Sequence, residues 1–160
     1  MANLYKACRD KNLINIIRIL KNATKECLNF QSIELHQTAL MKAIENETYD
    51  IARLLIIKGI DVNIKDIYDT TALYDILNKL RKFIFYVNLL RNDTYVRTKN
   101  ENHDYNQIIE TIDLLIVSGA NIRDMTPNDK IIDLIRVLLH NKYIDTYSLI
   151  IMLLENGFDI

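Results

Sequence analysis

Thr38-Ala39-Leu40-Met41-Lys42-Ala43-Ile44 opens the stretch that decides the fold; Asp50-Ile51-Ala52-Arg53-Leu54-Leu55 and then Gly59-Ile60-Asp61-Val62-Asn63 complete it. The Thr38 hydroxyl is placed to accept from the first free amides of a short helix. Leu40, Ala43 and Ile44 fall on one face of that helix, and Ile51, Ala52, Leu54, Leu55 and Ile56 on one face of a second. Ala43 is small where paired helices must approach. Gly59 follows the second apolar run. A helix ending there needs a left-handed residue just beyond its last turn, and glycine adopts it without a Cβ penalty.

The landmarks recur along the chain. Thr71-Ala72-Leu73 lies 33 residues after Thr38-Ala39-Leu40. The other two glycines repeat the context of Gly59, in Leu114-Leu115-Ile116-Val117-Ser118-Gly119-Ala120-Asn121-Ile122 and in Leu153-Leu154-Glu155-Asn156-Gly157-Phe158-Asp159-Ile160. One such unit cannot bury its own apolar face, whereas several stacked units can. With Asp66-Ile67-Tyr68-Asp69-Thr70 added, the stretch resembles the ankyrin repeat, whose pattern reads roughly D-x-x-G-x-T-P-L-H-x-A, then I-V-x-L-L-L-x-x-G-A-D-V-N, with the same period.

The resemblance implies an all-α ankyrin-repeat solenoid of about four helix-turn-helix units in one domain, 1–160. The units are expected at about 1–31, 32–64, 65–122 and 123–160. The first reads Ala7-Cys8-Arg9-Asp10-Lys11-Asn12-Leu13-Ile14, and the segment that follows it, Lys21 to Gln37, lacks the glycine. Asp69 stands where the family usually has glycine in its turn; aspartate tolerates left-handed backbone better than most residues, so the turn is expected to survive. The third unit carries an insertion of about 27 residues, placed at about 80–106, because 60 residues separate Gly59 from Gly119. Leu73, Ile76, Leu77, Leu80, Ile84 and Val87 continue a helical stripe, so its first helix is expected to overrun to about Arg91. The polar stretch Asn92 to Asn106 reads as a loop, with the second helix resuming at Gln107. In the fourth unit, Thr126-Pro127 reads as a helix start and Tyr147 to Asn156 as the last helix.

Composition narrows the function. Three glycines and one proline argue against a turn-rich all-β fold. A net charge of −1 lacks the basic excess that phosphate contacts demand, so no nucleic-acid partner is expected. Neither a signal peptide nor an uncharged run of about 18 residues is seen, so no membrane partner is expected and the cytosol, with access to the nucleus, is the default compartment. Cys8 and Cys27 have no C-x-x-C spacing and read as reduced thiols. His36, His103 and His140 stand far apart, in no metal-ligand spacing. Phosphate loop, nucleophile elbow and H-E-x-x-H are all lacking, so neither enzyme activity nor a cofactor is expected.

What the resemblance implies instead is a protein partner, bound through the turns called fingers and the exposed face of the first helices. Carried over by position, the finger residues are Glu34, Leu35 and Gln37, then Lys65, Ile67, Tyr68 and Thr70; the helix residues are Glu45, Asn46, Asn78 and Lys79. In Phe83-Ile84-Phe85-Tyr86, Phe83 and Phe85 point well apart on a helix, so one of them is expected outside. The Ile-, Asn-, Lys- and Asp-rich wording is similar to that of divergent ankyrin proteins of large DNA viruses, poxviruses among them, which implies a host-directed role in host cytoplasm. The chain is expected to be a monomer or a weak homo-oligomer. The alternative is a self-associating structural protein, joined through the insertion or through an uncovered terminal unit carrying Tyr147, Leu149, Ile150 and Met152.

The glycine stops generate the first prediction. Gly59→Val should destabilise by about 1 kcal/mol or more, read from urea melts. A neutral effect would mean that no helix ends there.

Overall fold

The structure is a computed structural model that describes residues 3–89, 99–122, 136–139 and 146–156. Its helices are α1 (Leu4–Arg9), α2 (Leu13–Leu20), α3 (Lys25–Leu28), α4 (Ala39–Glu45), α5 (Tyr49–Ile57), α6 (Ala72–Leu89), α7 (Lys99–Val117) and α8 (Tyr147–Glu155). Among the described residues there is no strand. The fold is an all-α solenoid: α1–α2, α4–α5 and α6–α7 are helix pairs, with α4 packed between α1 and α6, and α5 against α7.

The caps sit where the sequence places them. Met41 N–H donates to the Thr38 hydroxyl at 3.2 Å, and Tyr74 N–H to that of Thr71 at 3.3 Å. Gly59 and Gly119 have φ of +83° and +87°, as expected, and a Cβ at either would meet nothing within 4 Å, so a substitution there is strained by backbone alone. Asp69 does adopt the left-handed region, at φ +60°, and His36 takes the same role in the preceding turn at +51°. Lys11 and Glu47, in the turns inside the first two pairs, are left-handed as well. A chain this poor in glycine fills its left-handed positions with ordinary residues, at some conformational cost.

Side chains tie each pair to the next at a fixed offset. The Asn46 amide donates to the carbonyls of Cys8 and Arg9, closing the end of α1. Lys79, 33 residues on, donates to the Glu45 carbonyl at 2.9 Å and so closes α4. Asn29 accepts from Asp61 N–H at 2.9 Å. Asn63 repeats this across the insertion, accepting from Asn121 N–H at 2.7 Å and donating to the Gly119 carbonyl at 2.9 Å. The Arg53 guanidinium joins α5 to α7 through the Gln107 carbonyl and the Thr111 hydroxyl, both at 3.3 Å.

The insertion differs from expectation in one respect. Residues 99–106 do not form a loop; α7 begins at Lys99. Its polar wording hid a helical stripe that starts at Tyr105, continues through Ile108, Ile112, Leu115 and Ile116, and packs on α6. Tyr105 stacks on Phe83 with ring centroids 6.2 Å apart. The α6 stripe from Leu73 to Val87 is fully buried, and each such side chain contributes about 1.5–3 kcal/mol. Within the aromatic run, Phe83 is half-buried and Ile84 buried, while Phe85 and Tyr86 lie exposed. The segment Lys21–Gln37 contains α3, capped by Thr24 and anchored by buried Leu28. In α8, Leu149 is buried, Ile150 and Met152 are half-buried and Tyr147 is exposed. Arg91, the residues 92–98, Thr126-Pro127 and Gly157 lie outside the described residues.

Because Asn63 alone carries both bonds across the insertion, Asn63→Ala should lower stability by about 1–2 kcal/mol. Urea melts of the two proteins check this; a variant as stable as the parent would mean that the apolar contacts and Arg53 hold the third pair without Asn63.

Candidate protein-binding surface

Two fingers connect the first three helix pairs, and the backbone holds them together. Ile67 N–H donates to the Leu35 carbonyl at 3.1 Å, and the Gln31 amide donates to the carbonyls of His36 (2.6 Å) and Lys65 (2.9 Å). Inside the second finger, the Asp66 carboxylate accepts from Tyr68 N–H at 2.9 Å and Thr70 N–H at 3.0 Å. Lys65 pairs with Asp69 at 3.1 Å. The turn is therefore fixed from within by its own polar groups, and its apolar side chains are left pointing outward.

The residues singled out from sequence divide into two kinds. Glu34, Ile67 and Tyr68 are exposed, Tyr68 by 69%; the structure brings their two fingers side by side. Leu35 and Thr70 are half-buried. The others are engaged within the stack. Gln37 links the Tyr5 hydroxyl to Glu45, which also pairs with Lys42 at 2.9 Å. Asn78 accepts from Arg81. Asn46 and Lys79 close the ends of α1 and α4, and Lys79 pairs with Glu47 at 2.6 Å. These side chains hold the face in shape.

Sequence reading missed Ile33, which is 90% exposed at the first finger. It occupies the position that Asp66 holds in the second, 33 residues on. Superposing the two fingers at the repeat offset would have shown an aliphatic residue where the turn calls for an acid.

Among the described residues, a few titratable groups depart from ordinary behaviour. Cys8 is buried and free, and burial pushes its thiol up to about 12, so it is no thiolate nucleophile. Cys27 is free and half-buried. Among the described residues, no group of His, Cys, Asp and Glu could hold a metal ion, and no helix is long and apolar enough to cross a membrane. Asp75, on α6 beside the fingers, is the unusual carboxylate. Burial, then the charges of Asp66 and Glu45, raise it from 3.8 to about 7, opposed by Lys79.

Residues 2–66 match the family model described as ankyrin repeats (3 copies). That stretch holds α1 to α5 and the start of the second finger. Among solved structures, the chain is similar to the ankyrin repeat domain of Bcl-3, a unique member of the IkappaB protein family, with 18% identity and a TM-score of 0.44. The match takes in 71% of this chain and 50% of that one, so it spans about half the length of that domain. A search of the curated proteins finds no match.

Asp75 makes the stack sensitive to pH. Its folded pKa lies above its unfolded one, so between about 4 and 7 the native state binds the extra proton. Stability should fall as pH rises through that window and level off above it. Asp75→Asn should flatten the slope and raise stability at pH 8 by about 1 kcal/mol or more. Thermal melts across the window check both; parallel profiles for the two proteins would place Asp75 in open solvent.

Proposed function

We propose that the protein is a protein–protein interaction module with no catalytic role, a single repeat domain over 1–160 that takes its partner on the fingers and the adjoining face of the first helices. Ankyrin repeats are interaction modules in general. The observation that supports the finger surface here is the exposure of Ile33, Ile67 and Tyr68 on turns that are themselves rigidly bonded. Because the backbone beneath these side chains is already ordered, binding costs only their rotamer freedom, and a tyrosine offers a large contact area with two torsions to fix. Glu34, Lys65, Glu45 and Lys79 then form a polar rim around an apolar centre.

The wording shared with divergent ankyrin proteins of large DNA viruses supports a partner among host proteins, met in host cytoplasm. Exposed Phe85 and Tyr86 on the overrun of α6 favour a second reading, weak self-association through the insertion. Light scattering over a concentration series tests the second reading, and a mass that does not rise with concentration removes it.

Tyr68→Ala should weaken the partner complex by about 2 kcal/mol and leave the unfolding midpoint nearly unchanged. Affinity purification from the native cell supplies the partner and calorimetry the affinity. Lost stability with unchanged affinity would place Tyr68 among the packing residues and remove the finger from the interface.

A further inference from the structure

At the end of the helix pairs away from the fingers lies a second surface. There the overrun of α6 and α7 stands beside the turns inside the first two pairs and encloses a groove of about 740 Å³. Leu13, Phe83 and Tyr86 give it apolar walls, and Lys11 and Lys82 stand on its lining too. Tyr49, the first residue of α5, also lines it.

The ring of Tyr49 belongs to the core, but its hydroxyl is not accounted for there. Its side chain is only 9% exposed, yet its hydroxyl has no hydrogen-bond partner among the described residues. Facing the groove, such a hydroxyl is left to water or to an incoming acceptor. Burial, then the charges of Glu47 and Asp104, push its pKa above the ordinary value, so it remains a donor at any physiological pH. Further donors surround it. Thr48 donates its hydroxyl to the Ala43 carbonyl at 3.0 Å and gives α5 no side-chain cap, which leaves amides of the first turn without a partner from the cap. Most of the nearby carboxylates are already engaged: Glu47 pairs with Lys79 at 2.6 Å and Asp50 with Arg53 at 2.5 Å. Lys11 and Lys82 are exposed and have no ion pair among the described residues, and against them stands one unpaired carboxylate, Asp104.

We propose that this groove docks a segment of a partner protein that inserts an aspartate or glutamate side chain between apolar neighbours. The carboxylate accepts from the Tyr49 hydroxyl and the first-turn amides of α5. Lys11 and Lys82 supply the opposing charge, and Leu13, Phe83 and Tyr86 cover the apolar flanks. Unlike the fingers, the site exists only because the insertion lengthens α6 and α7.

The test uses the full chain and a phage-displayed library of random peptides, with the selected peptide then made with a fluorescent label and titrated by anisotropy. An acidic residue between apolar ones is the expected consensus. Tyr49→Phe and Lys82→Gln should each weaken that peptide about tenfold, the scale of a charge-assisted hydrogen bond. Asp104→Asn, which removes a repelling charge, should tighten it. Tyr49→Phe should also melt no lower than the parent, because it deletes an unpartnered hydroxyl; a merely structural tyrosine would not separate stability from affinity in this way. Should that variant melt lower, the exposed Lys82→Gln and Asp104→Asn decide by their opposite signs. A basic consensus, no consensus, or an affinity indifferent to Lys82 and Asp104 overturns the proposal. Peptides that respond to Tyr68→Ala alone overturn it too, while leaving the finger surface standing.

Discussion

No helix in the first two pairs can stand by itself. With six to nine residues apiece, α1, α2, α4 and α5 are shorter than the roughly 12–15 residues at which isolated helices become even marginal in water. Their apolar faces and their open ends must both be satisfied by a neighbour, at a distance that the repeat fixes. Asn46 closing α1 and Lys79 closing α4 show the constraint at work, since each side chain belongs to one pair and completes the helix of the pair before it. Burial supplies the larger share of the free energy, but the polar bonds set the register. A stack shifted by a residue would keep apolar contacts and leave these carbonyls open.

The same constraint governs where extra chain can be added. The third pair gains its length at the end away from the fingers, and the bonds from Asn63 to Gly119 and Asn121 stay as they are between Asn29 and Asp61. Lengthening α6 and α7 together keeps them apposed. The added turns bury Ile84 and Val87 against α7, with Phe83 stacked on Tyr105. An antiparallel extension of this kind supplies its own core.

How much of this was legible in the sequence follows from how local each signal is. Thr38, Gly59 and the stripe from Leu73 to Val87 act through their own helix, and they could be read by spacing alone. Asp69 was legible because its fault, a missing glycine, lay against a fixed pattern; the same left-handed turn at His36 passed unread because its finger departs further. The start of α7 was hidden because Lys99 to Asp104 carry no apolar residue, and only the packing of Tyr105 on the partner helix shows where the stripe begins. Among the candidate residues, exposure of Ile67 and Tyr68 accords with a turn fixed by Asp66. The engagement of Asn46, Asn78 and Lys79 could not be read, because their partners lie on the adjoining pair or on the facing turn of their own helix. The Tyr49 groove was not legible at all, being assembled from three helix pairs.

A repeat stack separates the two tasks that a small globular domain must share among the same side chains. The polar residues at helix ends and finger bases are consumed in register, which is why so many candidates on the first-helix face proved to be bonded within the stack. What remains free is what register does not use: the tips of the fingers, and whatever an insertion adds beyond the stack. Ile33 and Tyr68 stand on the first and Tyr86 on the second, with Tyr49 of α5 lining the same groove as Tyr86. The fingers offer an apolar edge whose polar groups are already satisfied, so a partner gains there by covering area. The proposed groove differs, with an unpartnered hydroxyl beside exposed Lys11 and Lys82, so a partner there would gain by supplying an acceptor. If both proposed surfaces bind, their different requirements would let one short chain take two proteins, or two segments of the same one, without altering the register on which both depend.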